Sequence, residues 1–343
     1  MKATISDIAK EAGVSDMTVS NVLGNRGRFA EGTRRRVLDI ASQLGYRPNA
    51  SARAVRHGRF GCAALVLSTA EQGRSVLPDG MLLGITETLE AHEMHLSVAC
   101  LPDVQLTDER FLPKLLREWL SDGLLINYNR RVPGRMLELM QRYRIPAVWL
   151  NRKGERNCAY PDDFGAGRRA AEMLLELGHR RLAYVGFTSV REDEEPHYSV
   201  VDRPAGFVEA MREAGLPEPR VIDAPQLRRE KAGQRTDLLA DLFRKADRPT
   251  GIVAYSTTDA FNIVRAAERL GLSIPRDLSL VLFGGPAPYT GQQTDALNVP
   301  TKQVGAAAVE MLLYRIEHPT ETIASQAIAF DYRPGTTTAP PRE

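Results

Sequence analysis

The chain has 343 residues, 43% of them hydrophobic, which is enough for two or three domains with true cores and excludes a disordered polymer. Its net charge is only +2, and its three cysteines (Cys62, Cys100 and Cys158) neither build a paired framework nor fall at metal-ligand spacing. A disulfide scaffold and a cysteine metal site are excluded; reduced thiols are expected, with Cys62 and Cys100 buried in apolar runs.

The start MKATISDIAK has no apolar core of a secretion signal, and no apolar run reaches membrane-spanning length, so a cytoplasmic chain without a membrane partner is expected. The charge is unevenly placed. Residues 1–60 carry eleven Lys and Arg against five acids, a net of +6, which leaves −4 for the remainder. A basic head on a mildly acidic body points to nucleic acid at the head, although a solvated basic surface gives the same count.

Taken in chain order, TISD fits a capping-box variant: Thr4 accepts from an early helix amide and Asp7 lies in the first turn. Ile5, Ile8, Ala9 and Ala12 then share one helical face, and Gly13 ends the helix. Ser15 caps a second helix with Val19, Val22 and Leu23 inward. A third helix, roughly Thr33–Leu44, buries Val37, Ile40, Ala41 and Leu44. Two short helices joined by a tight glycine turn form the helix-turn-helix pattern, whose second helix enters the DNA major groove. Its exposed side holds Asp16, Met17, Ser20 and Asn21. Asn21 suits adenine, Met17 a thymine methyl and Asp16 a cytosine amine. Thr18, Ser20, Arg26 and Arg28 suit phosphates. An acid in a first helical turn is also favourable without DNA, so Asp16 has two readings of equal standing.

From Gly61 the pattern changes to alternating strands and helices. CAALVLS, LSVACL, GLLINY and IPAVWLN read as strands, with helices at 79–92, 108–120 and 134–143. A second series follows: strands RRLAYVGF, PRVIDAP, GIVAYS and LSLVLFG, with helices at 164–177, 203–214, 233–245 and 258–270. Strict alternation means parallel sheets covered on both faces, and two series mean two similar α/β lobes. No P-loop, dinucleotide loop, serine elbow or zinc-protease motif is present, so no enzyme, cofactor or metal is expected.

TISDIAKEAGVSDMTVSNVLGN followed by TRRRVLDIASQLGYRPNASARAVRHGR resembles the DNA-binding head of the LacI/GalR (lactose-repressor) family of bacterial transcription regulators. DDFGAGRRAAEMLLELGHRRLAYVG, DRPAGFVEAM and GLSIPRDLSLVLFG extend the resemblance over the body. The resemblance implies a helix-turn-helix head at 1–48, a hinge at 49–60, and a periplasmic-binding-protein-like body at 61–343. In that body the first lobe takes about 61–161 and 292–321, and the second about 162–291 and 322–343.

It further implies a homodimeric regulator, most simply a repressor, on a palindromic double-stranded DNA operator. Such a protein is cytoplasmic and nucleoid-associated when bound to DNA. In the hinge, Asn49, Ala52 and Val55 would approach the minor groove, with Val55 as a wedge shorter than the family's usual leucine; an ordinary linker is the plainer reading. A small effector would lie between the lobes, against Ser75, Leu77, Asn151, Arg152, Asp163, Arg203, Ser256 and Gly284. The chain departs from the sugar-responsive pattern. Gly284, Ser256 and Asn151 stand where the family commonly has other polar or acidic groups, while Arg152 and Arg203 remain, which favours an anionic ligand or a cleft that binds no sugar. Arg203 also has a structural reading, as partner of the acidic loop 192–195, and Ser256 as a helix cap.

Overall fold

The structure, a computed structural model, describes residues 3–47, 58–68, 77–101, 120–128, 134–187, 196–222, 232–285, 291 and 293–342. Asn49, Ala52 and Val55 of the hinge, Ser75, the helix expected at 108–120 and the acidic loop 192–195 lie outside the described residues. The chain divides into two compact units, Met1–Phe60 and Gly61–Glu343, at the expected end of the hinge.

The first unit consists of α1 (Ile5–Ala12), α2 (Asp16–Leu23) and α3 (Glu31–Gln43). The capping box forms at α1: the Thr4 side chain accepts from the Asp7 amide, and Asp7 Oδ2 accepts from the Thr4 amide at 2.9 Å. Ile8, Ala9, Ala12, Val19, Val22, Val37 and Ala41 make the core, with Ile5, Leu23 and Ile40 partly buried around it. Two expectations change. The third helix starts at Glu31, after Ala30, which gives no side-chain cap. Leu44 is not a core residue: it follows the last helical position and is 37% exposed.

The body contains two six-stranded sheets. The first holds β1 (Cys62–Ser68), β2 (His95–Leu101), β3 (Gly123–Ile126), β4 (Ala147–Leu150), β5 (Cys158–Pro161) and the late strand β11 (Gln326–Ile328), in the order β11-β5-β4-β3-β1-β2. The second holds β6 (Leu182–Val185), β7 (Arg220–Ile222), β8 (Gly251–Ala254), β9 (Ser279–Phe283), β10 (Asp295–Asn298) and β12 (Asp331–Arg333), in the order β12-β10-β9-β8-β6-β7. The described pairings are parallel except for β12 on β10, and the two orders have one pattern, as expected for repeated lobes.

Helices α4 (Asp79–Ala91), α5 (Gly134–Arg142) and α10 (Thr301–Glu317) belong to the first lobe. Helices α6 (Asp163–Glu176), α7 (Tyr198–Glu213), α8 (Ala232–Phe243) and α9 (Thr257–Arg269) belong to the second. Each sheet has apolar clusters on both faces: one centred on Leu65, Ile85 and Leu312 opposes one on Ile126 and Met136, and one on Ile252 and Ile263 opposes one on Leu174 and Phe207.

The lobe boundaries differ from those expected. Asp295–Asn298 pairs with β9, so the chain recrosses after β10 rather than near 292, and Gln326–Ile328 pairs with β5, so the last crossing follows 328 rather than 321. Both strands are so short that their side chains do not specify which sheet takes them. Helix α7 begins at Tyr198, five residues earlier than the sequence indicated, because Pro204 lies inside the helix instead of at its start. Strand β2 is an edge strand, and Cys100 on it is exposed, contrary to expectation; Cys62 is half-buried and Cys158 buried.

Candidate functional site

In the head, Ser15 Oγ accepts from the Thr18 amide at 3.1 Å and lies 3.0 Å from Thr18 Oγ1, which fixes the amino-terminal turn of α2. Arg34 Nη2 donates to Asn25 Oδ1 at 2.7 Å and ties α3 to the turn after α2. That scaffold leaves Met17 68% exposed, and Thr18, Ser20 and Asn21 partly exposed. Arg26 and Arg28 are exposed just beyond α2. Asp16 has a structural partner that sequence reading did not name: Ser6 Oγ donates to its Oδ2 at 2.6 Å, linking α1 to α2. Thr4 is engaged in its capping box.

In the body, Asn151 and Arg152 follow β4, Ser256 follows β8, and Gly284 follows β9. These are the carboxyl ends of parallel strands, where open α/β sheets bind ligands. Asp163 opens α6 and Arg203 sits on α7. These helices pack closely because they lack side chains at Gly167 and Gly206: a Cβ on either would run into the backbone of Arg203 or Phe164. The close approach brings Arg203 Nε to 2.5 Å from Asp163 Oδ1, with the two side chains only 9% and 1% exposed. Arg203 Nη1 also donates to the Tyr255 carbonyl at 3.2 Å. Its guanidinium lies 4.7 Å from the Tyr255 ring centroid, 4.8 Å from Phe283 and 5.4 Å from Phe330.

Burial pushes the Asp163 carboxyl up, with the Arg203 charge pulling the other way. Burial is the largest influence on Arg203 and works against its charge, but Asp163, Tyr255 and Tyr184 together outweigh it and the guanidinium stays protonated. Arg203 is therefore a neutralised half of a buried pair, and the expectation that it adds uncompensated positive charge to the cleft is corrected.

Other expected cleft residues also have partners within the protein. Ser256 caps α9: its Oγ accepts from the Asp259 amide at 3.2 Å and donates to Asp259 Oδ2 at 2.6 Å. Asp259 is buried and accepts from the Phe187 amide at 3.2 Å. Burial raises its carboxyl, opposed by the Ser256 and Phe187 bonds. Gly284 has φ of +121°, a conformation in which an acidic side chain would be strained, so backbone geometry accounts for the missing acid.

Asn151, at φ +51°, accepts from the Tyr198 hydroxyl through Oδ1 at 3.0 Å and lies 3.2 Å from His197 Nε2 through its carbonyl oxygen. Arg152 stacks 4.8 Å from the Trp149 ring. Leu77 packs on the first-lobe core instead of standing free.

The structure thus joins Asp163 to Arg203 and leaves Ser256, Gly284, Arg152 and Leu77 in separate local roles. Sequence reasoning missed Tyr198, His197 and Tyr255. Tyr255 was findable at the end of the strand GIVAYS, whereas His197 and Tyr198 lie in the helical turn hidden by Pro204. Among the described residues, no group of His, Cys, Asp and Glu is placed to hold a metal ion, and no helix is long and apolar enough to cross a membrane.

Residues 4–49 match the model of bacterial regulatory proteins, lacI family, and residues 171–338 match that of the periplasmic binding protein-like domain. Among curated relatives, the HTH-type transcriptional repressor PurR of Klebsiella pneumoniae is 29% identical over 336 residues, covering 93% of this chain and 92% of its own. The HTH-type transcriptional regulator DegA of Bacillus subtilis is 28% identical, covering 89% of both chains. The fold resembles that of the lac repressor dimer bound to operator and the anti-inducer ONPF, with a TM-score of 0.72, 18% identity, and coverage of 99% of this chain and 100% of that one. It also resembles the transcriptional regulator CelR in complex with cellobiose, with a TM-score of 0.60, 23% identity, and coverage of 98% and 100%. The chain thus carries a helix-turn-helix domain of the lacI family of bacterial regulatory proteins at its head and a periplasmic binding protein-like domain in its body.

Proposed function

We propose that the chain is a sequence-specific transcription regulator, a repressor, that binds a palindromic double-stranded DNA operator as a cytoplasmic homodimer. The observation that carries this reading is α2: a helix capped by Ser15, anchored through Arg34, and displaying Met17 and Asn21 beside the exposed cations Arg26 and Arg28. Asn21 and Met17 read bases, Thr18, Ser20, Arg26 and Arg28 hold phosphates, and Asn49, Ala52 and Val55 approach the minor groove. Asp16 serves first to join α1 and α2.

A small polar ligand, of the sugar, sugar-acid or sugar-phosphate class, lies between the lobes near Asp163 and Arg203 and changes operator affinity. The lac repressor and CelR structures, with their small-molecule ligands, support a ligand in this fold. The cleft does not favour an anion over a neutral ligand, since Arg203 is balanced by Asp163. A second reading, regulation without a sugar effector, is favoured by the internal bonds of Asn151, Ser256, Asp163 and Arg203.

The test is a gel shift of the full chain on DNA upstream of its own gene, paired with a thermal-shift panel of ribose, cellobiose, a sugar acid and a sugar phosphate. Retardation of that DNA over random DNA supports the regulator. Equal retardation of both contradicts sequence-specific binding. A shift with one compound supports the effector reading, and none across the panel supports the second.

A further inference from the structure

The two lobes are joined covalently at three crossings, after β5, after β10 and between β11 and β12. Among the described residues, non-covalent contacts also join them: Gln303 of α10 donates to Asp331 of β12 at 3.0 Å, and a denser set lies between the loop after β4, strand β5 and the first turns of α7. Asn151 Oδ1 accepts from the Tyr198 hydroxyl at 3.0 Å, and the Asn151 carbonyl oxygen lies 3.2 Å from His197 Nε2. Lys153 Nζ is 2.6 Å from Asp202 Oδ2. Tyr160 of β5 meets Tyr198 edge-on at 5.9 Å, and His197 packs on Tyr198 within the second lobe at 4.3 Å.

The backbone at Asn151 is arranged for this. Its positive φ is a conformation asparagine tolerates better than most residues, and its amide is held by the Ala159 carbonyl at 2.9 Å, so carbonyl and side chain both remain for the opposite lobe. Burial, and then the nearby Asp163 carboxylate, hold the Tyr198 phenol above its usual pKa, so it remains a donor.

We propose that Asn151, Lys153 and Tyr160 of the first lobe and His197, Tyr198 and Asp202 of the second form an interlobe clasp that holds the two lobes together across the cleft. The inference deepens the effector reading of the cleft and rests on it for its regulatory meaning: the Tyr198 hydroxyl that bonds Asn151 also lies beside Asp163, so a ligand at Asp163 and Arg203 would meet the clasp. Ion pairs as exposed as Lys153–Asp202 contribute little alone. The neutral hydrogen bond and the Tyr160–Tyr198 ring contact, shielded beside it, carry the clasp.

The test uses the full ligand-free chain and hydrogen–deuterium exchange read by mass spectrometry. Tyr198→Phe keeps the ring and removes only the hydroxyl, and Lys153→Ala removes the ion pair. The diagnostic is the lobe that was not altered. Tyr198→Phe should speed exchange in a first-lobe peptide covering 150–156, and Lys153→Ala in a second-lobe peptide covering 197–203. The expected increase is roughly tenfold for the hydroxyl deletion and smaller for the ion pair. Peptides from β3 and the end of α7 should not change, which shows that both lobes remain folded. Acceleration confined to the altered lobe, or none, overturns the clasp. No ligand enters this experiment, so its failure is separate from that of the effector reading, which the thermal-shift panel decides.

Discussion

On α2 of the head, Met17 is 68% exposed and the polar groups beside it face solvent; in the body, Asp163 and Arg203 are 2% and 7% exposed and bonded to each other. The head is a small apolar core with Met17, Arg26 and Arg28 on its exposed outer side. Around Asp163 and Arg203 the body has turned polar groups inward and paired them with one another. The difference separates two kinds of site. An exposed polar group can be hydrated by water, whereas a buried charge needs a partner within the protein, because an unpaired charge there is costly. Substitutions should therefore act differently in the two units, through binding in the head and through stability in the body.

The largest contrast is expected from Arg203→Ala. It leaves the Asp163 carboxylate buried without its partner and should destabilise the body by about 3–5 kcal/mol, with the head's own unfolding transition unchanged. Differential scanning calorimetry of the full chain measures both. Arg203→Lys should recover only part of the loss, since one ammonium cannot reproduce the contacts to Asp163 and the Tyr255 carbonyl. Equal melting of Arg203→Ala and wild type would break the comparison.

A smaller effect comes from pH. His179 is buried among Thr250 Oγ1 at 2.9 Å, Ser279 Oγ at 3.0 Å and the Ala339 carbonyl at 2.9 Å. Burial lowers its pKa below the ordinary 6.5, against the opposing pull of the Ala339 bond. The unfolded chain then takes up a proton that the folded chain refuses. The stability contribution is full above pH 6.5 and is lost as pH falls from there through the folded value, by at most about 1.4 kcal/mol per pH unit. Chemical denaturation between pH 7.5 and 5.5 should show that slope, and His179→Gln should flatten it.

The smallest effect belongs to the head. Ser15→Ala removes the cap of α2 and should cost about 1 kcal/mol of head stability, seen as a lower midpoint of the head's transition and no change in the body's. A change in the body instead would mean that the two units do not fold separately.

These differences also explain what could be read from the sequence. The head was legible because its determinants are local. Thr4 and Ser15 cap helices within three residues of their partners, and Val19, Val22, Val37 and Ala41 repeat with the helical period. The alternation of the body was legible for the same reason, through runs such as CAALVLS and GIVAYS. The cleft was not. Asp163 meets Arg203 forty positions away, and Asn151 meets Tyr198 forty-seven positions away. Both pairings depend on the distance between α6 and α7 and on the placement of one lobe against the other. Pro204 hid the turn that carries His197 and Tyr198, and the short strands β10 and β11 gave no sign of which sheet would take them. In the sequence Gly284 reads only as a missing acid, and its φ of +121° explains why glycine stands there.

The central claim, that α2 reads sequence, is tested most directly by titrating wild type and Asn21→Ala against an operator series in which each base pair of one half-site is changed in turn. The account predicts a loss of about 1–3 kcal/mol on the cognate half-site, with preference relaxed at one base pair and unchanged elsewhere. A uniform weakening of every sequence, with the full pattern of preference retained, would contradict it.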